Sequence, residues 1–150
     1  MPLAAAANGG LNGEMYLQIA RSVISTIAAA ARNAFPHEAC GILFGRQGHV
    51  ESALITANVA TDPTRHFEVD PAALVAAHKG ARSGGAQVIG YFHSHPNGLA
   101  RPSVTDAATS ARDGAVWVIA APDSDGSWGI TCWHDGTGGF ERLSYGVSGG

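Results

Sequence analysis

Hydrophobic and polar positions change rhythm along this chain, and each change marks an element. Met15, Leu17 and Ile19 alternate with their neighbours, the period-two signature of a short strand. Val23, Ile27, Ala30 and Ala34 then recur at the spacing of one helical face. Pro36 disfavours helix at the residue before it, so this helix is expected to stop at Phe35. ACGILFG and HVESALITANVA, separated by the glycine-containing RQG, read as a strand hairpin, and HFEV as a further short strand. Asp70 supplies an N-cap and Pro71 a ring already fixed at the first helical φ, which predicts a second helix over AALVAAHKGAR up to the breaker SGG.

AQVIGYFHSH is almost continuously apolar, as expected of a central strand covered on both faces. VTDAATSAR follows as a third helix, and AVWVIAAP, WGITCWH and FERLSY as three late strands separated by the turn sequences DSDG and DGTGG. This order predicts an α/β fold in three layers, a mixed β-sheet flanked by helices. One domain is expected over residues 14–145, between a disordered N-terminal tail at 1–13 and a flexible C-terminal tail at 146–150.

Composition narrows the function. A chain of 150 residues, 45% apolar and 14% charged, can bury one core and is too short for two ordinary domains. With a net charge of -3 and no Lys/Arg block, it offers no electrostatic footprint for nucleic acid or an anionic membrane. No run approaches the ~18 apolar residues of a membrane span. Cys40 and Cys132 form neither a Cys-x-x-Cys pair nor a disulfide framework, which favours a reducing compartment, and the cytoplasm is the expected location.

The chemistry concentrates in HSHPNGLARPSVTD, residues 93–106. Side chains two apart on a strand share a face, with Cα atoms about 6.6 Å apart, so His93 and His95 can converge on one ion. The same spacing on a helix would turn them about 200° apart. Pro96 ends the strand, and the chain returns to Ser103, with Asp106 in the first turn of the next helix. Two histidines and a carboxylate leave one tetrahedral position open, the pattern of a catalytic zinc. Such an ion brings the pKa of its water from 15.7 to about 7. Ser103 and Asp106 equally fit a capping box. Capping accounts for those two residues but gives no reason for two histidines on one face of the preceding strand.

The spacing His-x-His, seven residues, Ser-x-x-Asp resembles that of the JAMM (MPN-plus) metalloproteases, and PHEACGILFG resembles the setting of their upstream glutamate. The similarity runs from about residue 15 to 145. It implies a cytidine-deaminase-like fold and a compact prokaryotic-type member of the family. The activity implied is hydrolysis of an amide bond at the Gly-Gly end of a ubiquitin-like or sulfur-carrier protein. It further implies that His93, His95 and Asp106 ligate Zn²⁺. Glu38 would act as general base on the metal-activated water, and Ser103 would donate to the oxyanion. A glutamate between a helix stop and a strand is ordinarily solvated, so the role of Glu38 rests mainly on the family likeness.

Two other readings remain open: a zinc-containing module that binds a ubiquitin-like partner without cutting it, and a zinc nucleobase deaminase. The deaminase needs His-x-Glu and Pro-Cys-x-x-Cys, and neither occurs. Cys40 and Cys132 are expected to be buried and structural. Trp117, Trp128 and Trp133 are expected in the core. His37, His49, His66, His78 and His134 lack ligand spacing, although His66 is a candidate for a substrate groove. Arg101 is a candidate for meeting substrate, and NVATDPTRH for covering the site.

Overall fold

The computed structural model describes residues 16–149. Its elements follow in the order β1 (Tyr16–Ala20), α1 (Arg21–Ala34), β2 (Cys40–Arg46), β3 (His49–Thr56), α2 (Pro71–Arg82), β4 (Gln87–Ser94), α3 (Val104–Thr109), β5 (Val116–Pro122), β6 (Trp128–Gly136) and β7 (Gly139–Ser148). The alternation of strands and helices is the expected mixed α/β arrangement. The expected tail at 1–13 lies outside the described residues, as does Met15.

The strands pair in the order β1-β3-β2-β4-β5-β6-β7, and β7 also pairs with β1, so the sheet closes on itself. The β1/β3, β4/β5 and β1/β7 pairs are parallel and the rest antiparallel. A mixed sheet flanked by helices was the expectation; its closure, which the strand pattern did not reveal, removes two free edges, each a row of unpaired backbone donors and acceptors. The sheet wraps α1, whose Val23, Ile27, Ala30 and Ala31 share one core with Leu17, Leu43, Phe92, Val118 and Cys132. Full burial of Ile27 or Phe92 contributes roughly 1.5–3 kcal/mol each. On the opposite face of β2 and β4, α2 packs Ala73, Leu74 and Ala77 against Cys40, Ile42 and Val88. The Asp70 carboxylate caps α2 by accepting from the Ala72 amide, as its sequence anticipates.

Four boundaries differ from expectation. HFEV contributes only an isolated bridge, Asn58 to Val69, because Asn58 side-chain hydrogen bonds organise this stretch as a loop. β3 ends at Thr56, short of the predicted run. α3 ends at Thr109, and Arg112 beyond it takes a left-handed φ of 51° that no helix can include. The flexible tail predicted from residue 146 onwards is, over 146–148, the end of β7, registered against Gln18, Ile19 and Ala20 of β1. The Tyr16 side chain lies across Gly146, where a Cβ would displace its hydroxyl end.

One irregularity aims the central strand. The β2/β4 register skips Ile89, pairing Leu43 with Gly90 but Phe44 with Val88. A single extra residue reverses which side chains face which side. Val88 and, beyond the bulge, Tyr91 and His93 therefore all lie on the α2 side. Gly90 lets β5 come close, because a Cβ there would run into the Val116 carbonyl oxygen. Among the described residues, no helix is long and apolar enough to cross a membrane.

Candidate metal centre

β4 carries His93 near its end, and the ladder continues one step further, where the His95 amide donates to the Ala120 carbonyl at 2.8 Å. Both imidazoles consequently project to one side, with their Nε2 atoms 3.0 Å apart. Asp106, on the first turn of α3, brings Oδ2 to 3.0 Å from His93 Nε2 and 3.2 Å from His95 Nε2. The capping box is also present. The Ser103 amide donates to Asp106 Oδ2 at 2.9 Å, and Ser103 Oγ accepts from the Asp106 amide at 3.0 Å. One carboxylate oxygen thus serves the helix N-terminus and faces the histidine pair as well, so the capping box does not take Asp106 away from the histidines.

The three converging atoms fit a divalent cation. A tetrahedral zinc with bonds of about 2.0–2.1 Å has donor-to-donor edges of about 3.3 Å. The observed edges are 3.0, 3.0 and 3.2 Å. His95 Nδ1 lies 2.8 Å from the Leu99 carbonyl, so that nitrogen carries the proton and Nε2 keeps its lone pair for the centre. His93 is fully buried, stacked on Phe67 at 4.1 Å between centroids and met edge-on by Trp117 at 5.6 Å, so its ring has one fixed plane. Its Nδ1 is buried without a partner.

Glu38 stands in the short link between α1 and β2 and is only 4% exposed, contrary to the ordinary behaviour of a link glutamate. A carboxylate oxygen of Glu38 lies within 4.8 Å of both histidine donor nitrogens, and Oε1 is buried with no hydrogen-bond partner. Burial pushes its pKa up to about 8, partly offset by His95 and reinforced by the Asp106 charge. Burial would also raise Asp106, but its bonds to the two histidines and the Ser103 amide bring it below the usual carboxylate range. For His93, desolvation outweighs the Asp106 pair and lowers the pKa. For His95, burial is outweighed by Asp106 and the Leu99 carbonyl, and the pKa rises.

Glu38, His95 and Ser103 line one open cavity of about 440 Å³ together with Thr64, Arg65 and Leu99. All five residues singled out in the sequence therefore meet at one place. Arg101 is exposed and His66 half-buried, and neither lines this cavity. Three contributors were not foreseen. Ser94, between the histidines, turns the other way and accepts from the Ala39 amide at 2.8 Å, pinning the segment that follows Glu38. Asn58 donates to the Glu38 carbonyl at 2.9 Å. Phe67 supports His93. Strand alternation could have placed Ser94 opposite its neighbours; no local signal marks Asn58 or Phe67.

Residues 20–133 match the family described as prokaryotic homologs of the JAB domain. The chain is 33% identical over 129 residues to the desampylase of Haloferax volcanii, covering 84% of this chain and 89% of that protein. It is also 33% identical over 115 residues to a probable TtuB-protein conjugate cleaving protease of Thermus thermophilus, covering 77% of this chain and 76% of that protein. In architecture it is similar to the solution structure of a Desulfitobacterium hafniense protein, with a TM-score of 0.79 at 27% identity over 89% of this chain and 94% of that one.

Proposed function

The chain belongs to the prokaryotic JAB-domain branch of the JAMM/MPN family and is a JAMM-type hydrolase; on that premise we propose that it cuts the amide bond following the C-terminal Gly-Gly of a ubiquitin-like or sulfur-carrier protein, with zinc. The observation that carries this proposal is the convergence of His93, His95 and Asp106 to 3.0–3.2 Å, with a buried Glu38 carboxylate, its Oε1 without a hydrogen-bond partner, within 4.8 Å of the histidine donors. The chemistry of the relatives, one a desampylase and one a conjugate-cleaving protease, supports the substrate class.

His93, His95 and Asp106 would hold the ion. When bound, zinc supplies Lewis acidity to the reacting carbonyl and to water. Glu38 takes a proton from the attacking water and passes it to the leaving amine; its buried carboxylate, with Oε1 free of any hydrogen-bond partner, is available for that transfer. Ser103 Oγ accepts from the Asp106 amide, which leaves its O–H free to donate to the oxyanion. The Phe67 and Trp117 rings keep the His93 side of the centre dry. We read the fold as cytidine-deaminase-like, with α1 and α2 on opposite faces of the mixed sheet as support. Two free, buried cysteines support a cytoplasmic setting.

The test is to incubate zinc-loaded protein with sulfur-carrier fusions extended beyond Gly-Gly. Glu38→Ala is expected to keep zinc and lose turnover, and His95→Ala to lose both. Cleavage by Glu38→Ala at the wild-type rate would remove the proposed base.

A further inference from the structure

We propose that Arg65 is a specificity-determining residue that binds a free carboxylate on the leaving group. The favoured substrates are then carriers extended by an amino acid or short peptide, ahead of those joined to a lysine side chain. This rests on the peptidase reading above and deepens it.

Arg65 lines the same cavity as Glu38, His95 and Ser103. Its guanidinium is held only loosely: the side chain is 79% exposed, and its pairing with Asp62 Oδ2 is long, 3.9 Å from Nε. The other Asp62 oxygen, Oδ1, accepts from the Thr64 hydroxyl at 2.9 Å.

The backbone beneath Arg65, by contrast, is fixed to the base. The Arg65 and His66 amides both donate to the Asp62 carbonyl, at 3.1 and 3.0 Å, and the Glu38 amide donates to the Pro63 carbonyl at 2.7 Å. Asn58 closes the assembly, donating to the carbonyls of Glu38 at 2.9 Å and His66 at 3.0 Å. Its Oδ1 accepts from the Ala60 and Glu68 amides, each at 3.0 Å. Glu38 and the turn that carries Arg65 therefore form one hydrogen-bonded piece, so the backbone that bears Arg65 keeps a fixed relation to the base while its side chain reaches over the cavity.

The charge pattern then selects the ligand. A tail ending in glycines offers no anion before the scissile bond, so a carboxylate entering this cavity belongs to the residue after it. Among the described residues, Arg65 is the one arginine or lysine in the lining of the cavity, and its planar fork suits a carboxylate.

The probe is a pair of sulfur-carrier fusions extended past Gly-Gly by one alanine, ending either in a free carboxylate or in the isosteric carboxamide. Zinc-loaded wild-type protein is expected to cleave the carboxylate form with about 10-fold higher kcat/KM, expressed mainly in KM. Arg65→Gln should bring the ratio to about 2 or less, and Arg65→Lys should keep part of it. A wild-type ratio near one, or a preference that survives in Arg65→Gln, overturns the inference while the peptidase reading stands. Cleavage of neither fusion overturns the peptidase reading itself.

Discussion

Replacing Glu38 by glutamine should make the metal-free protein more stable at pH 8. Burial raises the Glu38 pKa from 4.5 to about 8 in the folded chain, and the unfolded chain retains the ordinary value. Below 4.5 the group is protonated in both states and folding loses nothing. Between 4.5 and 8 the unfolded chain releases its proton first, so stability falls as pH rises. Above 8 both states are ionised and the loss is complete. At about 1.36 kcal/mol per tenfold difference in proton affinity, the ceiling is about 5 kcal/mol. Water in the open cavity screens part of the charge, and roughly 2–3 kcal/mol is the expected loss. His95, whose pKa is raised, also loses stabilisation as pH rises through its folded value, so the comparison must be made against the variant at each pH. Urea unfolding of chelator-treated wild-type and Glu38→Gln protein at pH 5 and pH 8 measures the difference. Glutamine should gain roughly 2–3 kcal/mol over wild type between the two pH values. Lines that fall in parallel would show that Glu38 is not desolvated and would refute the reasoning. Added Zn²⁺ should flatten the wild-type curve, since a nearby dication favours the ionised carboxylate.

Asp106→Ala removes one side of the capping box and a centre donor together. Thermal melts of metal-free protein should show a loss of about 1–2 kcal/mol, and metal analysis should show zinc lost as well. Its ionised form is favoured by the fold, so wild-type stability from this group is present above pH 3.8 and declines as pH falls below it; Asp106→Ala should flatten that acid limb. Asn58→Ala strands the carbonyls of Glu38 and His66 and the amides of Ala60 and Glu68; chemical denaturation should show a cost of about 2–3 kcal/mol, with slower turnover in the folded fraction.

The histidine pair was legible because strand alternation is a local rule: once VIGYFHSH is a strand, His93 and His95 must share a face, and the 3.0 Å separation of their nitrogens follows. Asp106 was legible through its spacing on a short helix. Glu38 came mainly from family likeness, because its burial depends on Asn58, Pro63 and Ser94 closing around the link, contacts spanning up to 55 residues that no local pattern encodes. Sheet closure was hidden for the same reason: GVS at the C-terminal end looks mobile until Gly146 meets Tyr16 of β1. The bulge at Ile89, which puts Val88 and His93 on one side, leaves no mark in a run that is almost continuously apolar.

The most direct measurement is the zinc content of protein purified without chelators, by atomic absorption, beside His95→Ala. One zinc per chain in the wild type, and less than a tenth of that in folded His95→Ala, is the expected result. A folded wild-type protein that carries no zinc and takes up none when Zn²⁺ is added would contradict a cation held by His93, His95 and Asp106.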